Sequence, residues 1–194
     1  MRSRCSSFLD TRFLNMVFLG MVFQGVFFLQ AINVFAAEER AIPDETVQAS
    51  VPTASVVGRG VLSYAFWDIY EATLFAPEGV WDSNKPFALS IEYFRVLKGK
   101  EIADRSVQEI RQQGFTNEVT LAAWNSQMKA IFPDVKKGTV LTAVYVPDKQ
   151  TTFYNGVEII GVIKDDDFGK SFFGIWLAEK TSEPALRRAL LGLK

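Results

Sequence analysis

The chain has 194 residues, 48% of them hydrophobic, which is enough to bury one domain and short for two. With 21 basic and 22 acidic side chains its formal net charge is −1, which argues against a surface built for phosphate backbones and against a nucleic-acid partner. It contains no histidine and a single cysteine, Cys5, so histidine-based catalytic triads, His/Cys zinc sites and internal disulfides are excluded.

Arg2, Arg4 and Arg12 precede a long apolar run that ends in small residues before the charged "AEER". This is the layout of a signal peptide, and residues 1–36 are expected to be one, cleaved after Ala36 with Val34 at the −3 position. A retained inner-membrane anchor is the alternative, because the run is nearly long enough to span a bilayer; Gln24, Gln30 and Asn33 dilute it. Removal takes three arginines and one aspartate from the 21 basic and 22 acidic residues, leaving 18 and 21, a mildly acidic mature chain. For a bacterial chain, export of this kind leads to the periplasm, where a domain without cysteine is insensitive to oxidation. Residues 37–55 are polar, with two prolines and no periodicity, and are expected to form a flexible lead-in.

The domain is expected over 56–194. Val56 to Leu62 and Phe66 to Phe75, rich in β-branched and aromatic residues, read as two strands with a break near Tyr64, and Phe87 to Leu97 as a third. The period then becomes helical from Lys100, with Gly114 as a C-cap, and Asn117 caps a second helix whose Leu121, Trp124, Met128 and Ile131 form one stripe. "GTVLTAVYVP" and "TTFYNGVEIIGVI" return to strands, with a type I′ hairpin expected at Asn155-Gly156 and a bulge at Gly161. Two helices follow, one opened by an aspartate N-cap and one by Ser182 with Pro184 in its first turn. The order is α+β, a largely antiparallel sheet with helices on one face.

Four features invite a functional reading. Asp165-Asp166-Asp167 lacks the spacing of a calcium or magnesium loop and reads as a helix N-terminus, so no metal is expected. Tyr93 and Arg95 share a face if the third strand runs through them, and together would clamp a carboxylate. Arg59 sits between Gly58 and Gly60, without the strand-to-helix context of a dinucleotide fingerprint, as a positive charge near a strand that could line a cleft. Phe168, Phe172, Ile175 and Trp176 fall on one helical stripe flanked by Phe173 and Leu177. That stripe is core first, and a candidate pocket wall through Phe172, Phe173 and Trp176.

"GVEIIGVIKDDDFGKSFFGIWLAEKTSEPALRRALLG", with "IYEATLF" and "IEYFRVLKGKEIADRSVQEI", resembles the bacterial chalcone isomerase-like proteins, exported relatives of plant chalcone isomerases and plastid fatty-acid-binding proteins. The likeness covers about residues 56 to 193. It implies an open-faced β-sandwich with a cleft between sheet and helices. The tyrosine and asparagine that position substrate in the plant enzyme fall on Ile102 and Glu109, and its threonine or serine near the final helix falls around Glu183. Arg59 lies near the enzyme's arginine. These departures imply no catalytic residue and no cofactor. The fatty-acid-binding branch holds a carboxylate with an arginine and a tyrosine, for which Tyr93 with Arg95, or Arg59 with Tyr70, are the candidates. The expected function is a non-catalytic periplasmic binding or accessory protein for a fatty acid or similar amphipathic molecule, with membrane contact only through an uncleaved signal. The alternatives are an isomerase or intramolecular lyase with a rearranged site, and an envelope structural partner whose core would be filled.

Overall fold

The computed structural model describes residues 45–193; the signal peptide, its cleavage point and the lead-in before residue 45 lie outside them. Strands β1 (Ala54–Tyr64) and β2 (Trp67–Pro77) form a hairpin closed by Ala65 and Phe66, with Tyr64 paired to Trp67. β3 (Phe87–Tyr93) pairs with β2 only as far as Tyr70↔Tyr93, so the end of the hairpin projects past its neighbour. Phe66 at its tip is 98% exposed. β3 ends earlier than expected: after Tyr93 the chain bends, and Leu97 makes only an isolated bridge to Val135. Hydrophobicity continues through Phe94 to Leu97, but the backbone there is already turning into the next helix.

That helix, α2 (Gly99–Gln112), stops where Gly114 takes φ +105°. Asn117 caps α3 (Glu118–Ile131), its side chain accepting from the Thr120 N–H at 3.1 Å. β4 (Val140–Val146), β5 (Gln150–Asn155) and β6 (Glu158–Ile163) complete the sheet. The β5–β6 turn differs from expectation: Asn155 is the last strand residue, Gly156 and Val157 form the loop, and of these three only Gly156 has positive φ, at 58°. A glycine in the first loop position is the signature of the II′ class rather than I′. Ile160 is the unpaired residue next to Gly161, so the bulge is where the sequence places it.

Helices α4 (Asp166–Leu177) and α5 (Pro184–Leu190) follow. Asp165 caps α4 by accepting from the Phe168 N–H at 3.2 Å. Ser182 does not cap α5. Glu183 holds that position, Pro184 begins the helix, and the Ser182 hydroxyl is drawn into a tertiary bond to Glu109.

The six strands lie in the order β1 to β6, antiparallel throughout, as the α+β open-faced fold requires. Helices α2 to α5 bury one face around Leu74, Leu89, Ile91, Trp124, Phe168 and Phe172. The opposite face carries a smaller cluster of Phe75, Ala88, Val144 and Tyr154, covered by Val47 and Val51. This corrects the flexible lead-in: Glu45–Ser50 is a helix, α1, and β1 begins at Ala54. One apolar i,i+4 pair in a polar segment has no readable period, and its order comes from the second face of the sheet.

Two of the three consecutive aspartates, Asp165 and Asp166, hold the start of α4. Asp166 accepts from the Tyr145 hydroxyl at 2.6 Å and the Asp148 N–H at 2.9 Å, and pairs with Lys170 at 2.6 Å. The Lys170 ammonium, with the Tyr145 and Asp148 donors, holds the Asp166 carboxyl at about 2, below its ordinary 3.8. A carboxyl depressed in the folded state stabilises fully above its unfolded pKa and loses that contribution as pH falls toward the folded one. Asp166→Asn should therefore melt below the parent at neutral pH, and the two curves should converge between about pH 4 and 2. A gap undiminished at the acid end would show that the charge is not what matters.

Candidate functional site

Two close approaches bring the helices down at the edges of the sheet. A Cβ on Gly58 of β1 would lie 2.2 Å from the Ala189 carbonyl oxygen of α5, and one on Gly161 of β6 would meet Ile131 of α3 at 2.4 Å. Between those edges, α2 and α4 pack on each other over the sheet's main core, and a cavity of about 330 Å³ remains. Its walls are mostly apolar: Leu62, Ile69, Leu89, Ile91 and Leu141 from the strands, Ile102 from α2, and Phe172, Ile175 and Trp176 from α4. A cavity of this size lies at the lower end of the range for small-molecule sites, ~300–1,000 Å³.

Two tyrosines supply its inner polar groups. Tyr70 and Tyr93 are paired across β2 and β3, with ring centroids 5.9 Å apart, edge to face. The Tyr70 oxygen accepts from the Trp176 indole N–H at 2.8 Å. Tyr93 is only 4% exposed, yet its hydroxyl makes no hydrogen bond with any described residue. The ring is buried and the hydroxyl opens on the cavity, where a bound polar atom can pair with it. Burial pushes the Tyr70 hydroxyl up to about 12, offset in part by the Trp176 bond, and pushes Tyr93 further. Both therefore stay protonated at neutral pH and act as donors rather than bases.

The rim is ionic. Glu109 of α2 is 5% exposed, forms an i,i+4 pair with Arg105, and accepts from the Ser182 hydroxyl at 2.8 Å. Glu101 and Glu183 complete this end.

Of the residues singled out in the sequence, Tyr70, Tyr93, Phe172 and Trp176 meet at the cavity. Three others are elsewhere. Arg95 lies beyond the end of β3, where its Nε donates to the Asp68 carbonyl at 3.1 Å and its guanidinium covers the exposed Trp67 ring at 4.7 Å. Alternation along β1 turns Arg59 away from the face on which Gly58 and Gly60 meet α5, so neither tyrosine–arginine clamp is formed. Phe173 packs as core on Phe87 and Tyr145, one residue round the helix from the cavity wall. Arg105 and Ser182 went unread. The available signal was that Ile102, Arg105, Ser106 and Glu109 share one helical stripe, which puts an ion pair on an inward face.

A chalcone isomerase-like family model matches residues 38–192. The chain belongs to the chalcone isomerase-like family. It is 28% identical over 137 residues to an uncharacterized protein of Haemophilus influenzae, spanning 70% of this chain and 67% of that one. The crystal structure of an Arabidopsis thaliana fatty-acid binding protein shares the fold, with a TM-score of 0.57 at 13% identity over 74% of this chain and 89% of that one. Within the family frame, Ile102, Glu109 and Glu183, the positions aligned above with the plant enzyme's tyrosine, asparagine and threonine or serine, all border the same cavity. Ile102 offers no hydroxyl there, and Glu109 is a carboxylate already engaged by Arg105 and Ser182.

Proposed function

We propose that this member of the family is a non-catalytic binding protein, exported to the periplasm by its N-terminal segment, that holds a fatty acid or a similar amphipathic small molecule between sheet and helices. The observation that carries the reading is an apolar cavity containing the unpartnered hydroxyl of a buried tyrosine, Tyr93. At ~30 Å³ for a water-sized group, the space accommodates on the order of ten such groups, a medium-length acyl chain. Each buried methylene contributes about 0.8 kcal/mol, so the chain supplies most of the affinity and the tyrosines orient its polar end. The fatty-acid binding protein that shares the fold supports this reading over a structural partner with a filled core.

The test is mass spectrometry of organic extracts from the protein purified natively from the periplasm, with its intact mass measured alongside. A mature chain beginning at Ala37 and carrying an amphiphile is expected. Tyr93→Phe should reduce the retained ligand, whereas Arg95→Leu, altered outside the cavity lining, should retain it in full. A protein that retains no ligand and binds none on addition would overturn the proposal.

A further inference from the structure

The polar end of the cavity is poorly suited to an anion. Three carboxylates, Glu101, Glu109 and Glu183, border it, against one guanidinium, that of Arg105. Arg105 is already charge-paired: it meets one oxygen of Glu109, whose other oxygen takes the Ser182 hydroxyl. Among the described residues no lysine and no second arginine lines the space. Of the two phenols, Tyr70 is the one within reach of these charges. At the Tyr70 hydroxyl, Glu183 and Glu109 each raise the pKa by more than Arg105 lowers it, after the larger effects of burial and the Trp176 bond.

A carboxylate placed here would be desolvated beside like charges and would find only neutral donors, which do not offset the burial of an ion. An uncharged oxygen meets no such cost. It can accept from the Tyr93 hydroxyl, which has no acceptor among the described residues, and from the Tyr70 hydroxyl, whose oxygen is used by Trp176 while its proton remains available. A cationic head is not matched at the inner end either: Glu109 is paired with Arg105, and the tyrosine hydroxyls carry no charge to offset the burial of an ion.

Resting on the binding reading above, we infer that the cavity selects amphiphiles with an uncharged oxygen head group, such as an alcohol, aldehyde, ketone or ester, over the free carboxylate of the same chain. Glu109 determines that specificity. It does so by neutralising Arg105, the one cation among the described lining residues, so that the uncompensated charges at this end are the carboxylates of Glu101 and Glu183.

The experiment compares decan-1-ol, sodium decanoate and decylamine by tryptophan fluorescence titration of the full chain near neutral pH, each below the concentration at which it aggregates. Decanol should bind at least about tenfold more tightly than decanoate or the amine, a separation that like-charge repulsion and desolvation readily supply. Glu109→Gln removes the charge and releases Arg105. It should raise decanoate affinity until the gap is about threefold or less, while decanol affinity stays within about twofold, a selective gain that loss of structure would not produce. Should that variant fail to fold, the comparison on the unmodified chain still decides the matter. Decanoate or decylamine binding as well as decanol would overturn the head-group inference and leave the binding reading standing. No saturable binding by any of the three, repeated with shorter and longer chains, would overturn the binding reading beneath it.

Discussion

Trp124→Ala is expected to cost about 3–5 kcal/mol of folding stability, the range for deleting a large buried aromatic. Trp124 is 1% exposed and lies against Phe115 at 4.7 Å and Phe168 at 5.6 Å between ring centroids. Its indole N–H also donates at 2.9 Å to Asp165 Oδ2, on the residue whose other oxygen caps α4. The residue thus ties α3 to the start of the helix that carries Phe172, Ile175 and Trp176 to the cavity. Truncation would leave a void between two aromatic rings and a carboxylate oxygen without its donor. Trp124→Phe separates the two losses: packing is largely kept, and the missing bond to a charged acceptor should cost about 1.5–3 kcal/mol. Denaturant midpoints measure both. An alanine variant within about 1 kcal/mol of the parent would mean that α3 and α4 are coupled through other contacts.

Ala143→Phe should abolish ligand binding without the stability penalty that overfilling a core normally brings. Ala143 lies between Leu89 and Phe153 in the middle of the sheet and lines the cavity. In a close-packed interior an added ring forces neighbours off their rotamers and costs ~1–3 kcal/mol. Over an open cavity the ring occupies the ligand's space and buries its own apolar surface instead. The expected result is at least a tenfold loss of affinity, about 1.4 kcal/mol, with an unchanged or raised melting temperature. A variant that melts lower by the full overpacking penalty and still retains ligand would place the ligand elsewhere.

Much of the architecture can be read locally. Asn117 and Asp165 announce helix starts because a short side-chain oxygen can satisfy an orphan N–H three residues on. Gly114 announces a stop because the helix end there needs positive φ. The strands of the first hairpin declare themselves by β-branched and aromatic content, and the family follows from residues spread over most of the domain. Helix α1 does not declare itself, since Val47 and Val51 become a core pair only against Phe75 and Val144, which belong to β2 and β4.

The site divides in the same way. Tyr70, Tyr93, Phe172 and Trp176 are legible as polar and aromatic groups on elements that must face inward. The arginines are not, because the face a side chain presents depends on where its strand ends and on what packs across it. β3 ends two residues before Arg95, and α5 claims the face of β1 that Arg59 would have needed. The cation that reached the cavity is Arg105, already held by Glu109, and Ser182 joins that pair from 73 residues away along the chain. By itself the sequence determined the element types from β1 onward, most of their caps, the α+β order and the family, since these rest on periodicity and near-neighbour chemistry. The tertiary structure alone decided that a cavity survives between sheet and helices and that its rim is acidic. A void and a field are sums over segments remote in the chain, and no local pattern encodes either.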